Sequence, residues 1–80
     1  LEDLKVIPNP VQSGEVTLSF SNPDFEEGTL EIYNTVGQLV RTEILTSYGM
    51  SIQVNDLPKG MYLFSVNLDG LKRTEKVIIE

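Results

Sequence analysis

Apolar side chains recur at every second position along almost the whole chain, and turn-forming residues separate the runs. Val16, Leu18 and Phe20 alternate with Glu15, Thr17 and Ser19. Leu30 and Ile32 alternate with Glu31 and Tyr33, and Ile52 and Val54 fall on one face of SIQVN. Tyr62, Phe64 and Val66 do the same in the most hydrophobic stretch, residues 61–68. A period of two puts one set of side chains on one face of a pleated strand, whereas a helix needs a period near 3.6. No helical stretch of useful length is found.

The punctuation fits the same reading. Residues 21–28 (SNPDFEEG) and 46–50 (TSYGM) read as loops. Asn34-Thr35-Val36-Gly37 reads as a tight turn, with Gly37 able to take the positive φ of a G1-type bulge. Asp69-Gly70 between two apolar runs is a type I′ hairpin signal. With the opening LKVIP and the return segments 38–45 and 71–80, about seven short strands result. Turn signals every eight to twelve residues across seven strands predict an all-β, Ig-like sandwich of two antiparallel sheets. Eighty residues make a single domain, 1–80, in which residues 1–3 could be the end of a linker.

The expected core is Val6, Val16, Leu18, Phe20, Leu30, Ile32, Leu39, Ile52, Val54, Leu57, Tyr62, Phe64, Val66, Val77 and Ile79. One conflict stands out. A two-residue turn at Asp69-Gly70 pairs Val66 with Arg73 and Phe64 with Glu75, setting charges opposite core residues. Either a bulge shifts that register, or the last strand is an edge whose first half lies over open ground. Edge strands commonly carry such charges against edge-to-edge pairing.

Composition removes whole classes of function. Twelve acids against six bases give a net charge of −6, which argues against nucleic acid and anionic lipid as partners. The chain has no Cys and no His, so disulfides, thiolate and imidazole catalysis and the usual zinc sites are excluded. No apolar run approaches the ~18 residues of a membrane-spanning helix. The first residues lack the basic and apolar regions of a signal peptide, which suits a cytosolic protein or a piece of a longer one.

At residues 56–66, DLPKGMYLFSV, Asp56 opens a turn, Pro58 fixes its φ and Gly60 leads into the strand. Tyr62 then lies where a tyrosine corner would place an inward ring whose hydroxyl returns to backbone upstream. Five blocks together resemble the C-terminal sorting domain of the type IX (Por) secretion system of Bacteroidetes. They are Val6 to Val11 around the tripeptide Pro8-Asn9-Pro10, Gly14 to Phe20, Ile32 to Val40 (IYNTVGQLV), Asp56 to Val66 with Leu57, Gly60 and Tyr62, and Gly70 to Ile79 with Lys76-Val77. They run in the family's order over residues 6–79. Ile7 stands where the family often has an aromatic, and Glu80 where it often ends in a base.

The resemblance implies a folded signal at the C-terminus of a larger secreted cargo, which has its own N-terminal export signal. It implies recognition by the outer-membrane translocon and, in many such proteins, processing by a surface transpeptidase. The domain would pass through the periplasm to the outer-membrane surface or beyond. It also points to the last hairpin, where Lys72, Arg73, Thr74, Glu75, Lys76 and Val77 make a locally basic spot; the bland reading is an edge strand with protective charges. Pro8-Asn9-Pro10 reads as a rigid turn ending the first strand, the alternative being a junction presented to a protease.

Asn22, Asp24, Glu26 and Glu27 could offer oxygens to calcium, but their spacing fits no EF-hand. Paired carboxylates could act as acid and base, yet a sandwich of this size has no room for a deep cleft. Neither a catalytic residue nor a cofactor or metal site is therefore expected. The alternative class is a small Ig-like binding or adhesion module using exposed aromatics such as Tyr33 and Tyr48, and a third is a structural spacer.

Overall fold

The computed structural model describes residues 4–20, 27–46 and 50–80. Each alternating run becomes a strand: β1 (Lys5–Ile7), β2 (Glu15–Ser19), β3 (Gly28–Tyr33), β4 (Leu39–Ile44), β5 (Ser51–Gln53), β6 (Gly60–Leu68) and β7 (Leu71–Ile79). They form a three-stranded sheet, β1-β2-β5, and a four-stranded sheet, β4-β3-β6-β7, with every pairing antiparallel. The chain changes sheet after β2, β4 and β5, at the turn-rich segments the sequence marks. This is the expected two-layer, Ig-like arrangement.

The inward-facing positions fill the space between the layers. Phe64, Leu18, Leu30, Ile32, Val16, Val54, Val66 and Val77 are fully buried, and Val6, Phe20, Ile52, Tyr62 and Ile79 nearly so. Leu57 is only half-buried and packs against this cluster from the turn before β6. Leu39 departs from expectation: it is 51% exposed. The pairing of β3 with β4 steps from Ile32↔Arg41 to Tyr33↔Leu39, which leaves Val40 without a partner. That bulge carries Leu39 to the outer face, because one extra residue reverses the side on which all later side chains lie.

Among the described residues, four core residues go beyond the expected set: Leu4, Val11, Leu45 and Leu68. The alternation that selects Tyr62, Phe64 and Val66 reaches Leu68 as well. Val11 follows Pro10 in a stretch that reads as a turn, and nothing local marks it as interior.

Both hairpins follow their turn residues. Gly37 donates to the Asn34 carbonyl and Asn34 to the Gln38 carbonyl, with Gly37 at φ 83°, which is a G1-bulge turn. Asp69 and Gly70 take φ of 50° and 88°, the two positive values of a type I′ turn, and Leu68 pairs with Leu71. The register from that turn is unbroken, Val66↔Arg73, Phe64↔Glu75, Tyr62↔Val77. No bulge relieves the conflict between charge and core. It is resolved by position: β7 is an edge strand, Leu71 to Thr74 are exposed, and only Val77 and Ile79 reach the interior. β1 is three residues long, and beyond it Val11 bridges Ile79 of β7.

Two substitutions test this packing in opposite directions. Phe64→Ala opens a cavity in the closed interior and is expected to cost ~3–5 kcal/mol. Leu39→Ala, on the outer face, should change stability by less than about 0.5 kcal/mol. Urea unfolding of both variants checks the pair; a large loss at Leu39 would contradict the bulged register.

Candidate functional site

β7 is built in two halves. Ile78 turns its backbone away from β6: its N–H donates to Asn9 Oδ1 at 3.1 Å, and its carbonyl accepts from Val11 N–H at 2.7 Å. In an antiparallel pair every second residue points both backbone groups to the same side. The even-numbered residues of β7 therefore face outward along the sheet edge, and they also place their side chains on the outer face.

The far half of that edge is covered. Asn9 Nδ2 donates to the Lys76 carbonyl at 2.9 Å, so one carboxamide spans two residues of the strand. Val11 makes a parallel bridge to Ile79, and Glu80 N–H donates to the Val11 carbonyl at 2.8 Å. Gln12 Nε2 adds a bond to Glu80 Oε1 at 3.0 Å. Pro8-Asn9-Pro10 thus does more than end β1. It carries the chain across to the other sheet, and Asn9 Nδ2 supplies a donor where Pro8 and Pro10 have no N–H.

The near half carries the cations. Lys72, Arg73, Thr74 and Lys76 are exposed and Glu75 half-buried, whereas Val77 is fully buried and unavailable to a partner. Lys72, Thr74 and Lys76 lie on the outer face, Arg73 and Glu75 on the side toward the sandwich. The six residues of the sequence motif therefore do not share one surface. Beside them the outer face of the four-stranded sheet exposes Leu39, Met61, Leu63 and Ile78.

The remaining motif residues are structural in their contacts. Tyr62 Oη donates to the Pro58 carbonyl at 2.6 Å, four residues upstream, which is the tyrosine corner the sequence predicts. Phe64, two residues on, sits where disulfide-bonded sandwiches of this class carry a cysteine. Gly14 has φ 78°, and a Cβ there would lie 2.8 Å from Asn55 Cβ, closer than a side chain tolerates; its carbonyl accepts from Val54 N–H. Asp56 pairs with Arg41 at 2.8 Å, and the same Arg41 Nη1 donates to the Gln53 carbonyl at 2.8 Å. Gly37, Gly60 and Gly70 stand at the turns or strand starts where the sequence puts them.

The aromatic and calcium candidates gain little. Tyr33 is half-buried and donates to Glu31 Oε1 at 3.0 Å, a bond that raises the pKa of the phenol. Tyr48, residues 1–3 and the ligand candidates Asn22, Asp24 and Glu26 lie outside the described residues. Glu27 N–H donates to Asp69 Oδ1 at 2.9 Å, tying that loop's end to the β6–β7 turn.

With an all-β body, a tyrosine corner and a Pro-Asn-Pro strap in place, comparison with known families is decisive. The model of the secretion system C-terminal sorting domain matches residues 5–80. The chain belongs to this family of type IX sorting domains. No curated protein matches the chain. Family membership makes the domain a C-terminal sorting signal, which implies export through the outer membrane and attachment to a cargo protein.

The strap was the least legible part of this sorting domain. The signal for it is an Asn between two prolines, a side chain with two hydrogen-bonding ends and few backbone donors nearby. Asn9→Ala removes both bonds to β7 and is expected to cost about 1–3 kcal/mol, at ~0.5–1.5 kcal/mol per bond. Asn9→Asp keeps an acceptor for Ile78 N–H but cannot donate to the Lys76 carbonyl. Amide exchange at Ile78 should therefore quicken strongly in the first variant and less in the second.

Proposed function

We propose that this domain directs a larger N-terminal cargo through the type IX translocon and is removed or processed at the cell surface by a transpeptidase. It acts as a folded label without catalysis of its own. The cargo passes the periplasm and ends at the outer-membrane surface or outside the cell. The contact with the translocon lies on β7, through Lys72, Thr74 and Lys76 on the outer face, with Arg73 and Glu75 on the other face of the same edge strand.

The observation that carries this reading is the exposed, cation-bearing half of an edge strand in a domain of net charge −6 that matches the sorting family over residues 5–80. Three of the chain's six bases lie within residues 72–76. Their backbone is held by the β6 pairing, so they present a fixed spacing.

Deleting the last strand does not test this, because it also removes Val77 and Ile79 from the interior. A fusion of residues 1–80 to a fluorescent reporter with a Sec signal, in a host with the translocon, does. The parent fusion should reach the cell surface or medium. The double variant Lys72→Glu, Lys76→Glu keeps the core and should export at least about fivefold less, the lost reporter accumulating in the periplasm. A parent fusion that stays in the periplasm refutes the sorting role; unimpaired export of the double variant clears β7 of the contact.

A further inference from the structure

The uncovered half of β7 is a template for another strand. Lys72 and Thr74 point both backbone groups outward, as Ile78 does, and Lys76 directs its N–H the same way. Among the described residues these groups have no partner, because the strap of Asn9 and Val11 begins only at the Lys76 carbonyl. The free edge from Lys72 to Lys76 is about 13 Å long at ~3.3 Å per residue. It has no bulge in its register, and the side chains of Lys72, Thr74 and Lys76 are exposed. An edge of this kind accepts an extended peptide through main-chain bonds, while alternate side chains set which peptide is taken.

The side chains select the occupant. Lys72, Thr74 and Lys76 line the outer face of the edge, so an added strand sets its own alternate residues beside two ammonium groups. Acidic residues at those positions gain a cross-strand pair. A second copy of this chain is disfavoured: antiparallel pairing about Thr74 sets Lys72 of one β7 against Lys76 of the other, and like charges directly opposite destabilise a pair. We infer that the Lys72–Lys76 edge of β7 binds an extended polypeptide segment carrying acidic residues at alternate positions, as an added strand of the four-stranded sheet. This deepens the proposed β7 contact and rests on that reading only for its biological setting.

The probe is an acetylated and amidated nonapeptide alternating glutamate with threonine, titrated into the whole 80-residue domain and followed by amide hydrogen exchange. Lys72 and Thr74 N–H should become at least about tenfold more protected, and affinity should drop with added salt as surface charge pairs are screened. A version of the peptide N-methylated at alternate residues keeps the charge but cannot complete the ladder, and should not protect. Thr74→Pro removes an outward N–H that the fold does not use, a placement edge strands tolerate, and should abolish binding. Lys72→Glu with Lys76→Glu should weaken the acidic peptide at least tenfold and admit its lysine counterpart.

Equal binding of the N-methylated peptide overturns the inference even if the proline variant does not fold. So does protection elsewhere than β7, or dimerisation of the domain through β7 without peptide. Peptide addition at β7 alongside unimpaired export of the charge-reversed fusion separates this inference from the translocon contact, sparing the edge and sinking the latter. Loss of export without any protected amide does the reverse.

Discussion

Three short strands set against four longer ones decide most of this molecule. The smaller layer has strands of three, five and three residues; the larger has two of six and two of nine. Apolar area is stabilising only where it leaves water, so the interior can extend only as far as the smaller layer covers the larger. β3 and β6, the central strands of the larger sheet, hold its largest buried side chains. β4 and β7 overhang at the two sides.

The overhang explains charges that look misplaced along the sequence. Arg41 and Glu43 oppose Ile32 and Leu30, and Arg73 and Glu75 oppose Val66 and Phe64. All four sit on the sandwich side of an edge strand, a placement that discourages open-ended strand pairing. The two sides are then finished differently. On the β4 side Arg41 reaches across to β5 and to Asp56. Its side chain is 24% exposed and that of Asp56 65%, so solvent screens the pair and its net worth is of the order of 1 kcal/mol or less. On the β7 side closure comes from the strap, and only over the last residues.

This division matches what the proposed β7 contact asks of a sorting domain. A folded label needs an interior that holds together without disulfides, and here the core, the tyrosine corner and the Asn9 clamp supply it. It also needs a surface that a partner can read. The half of β7 left outside the strap combines fixed backbone geometry with a concentration of positive charge found nowhere else along an acidic chain.

What the sequence determined alone is the local part. The period of two named the strands, Asn34 to Gly37 and Asp69-Gly70 set two hairpins and the latter its register, and the spacing from Pro58 to Tyr62 announced the corner. These features depend on residues within a few positions of each other. What the tertiary structure decided is which strands are edges and which faces meet. Leu39 fits the alternation yet lies outside, because the bulge at Val40 is fixed by pairing with β3. Val11 looks like turn yet lies inside, because its partner Ile79 is far along the chain. Asn9 and Arg41 give no local sign of their partners, since a side chain that bonds across sheets finds its target only once both layers are in place.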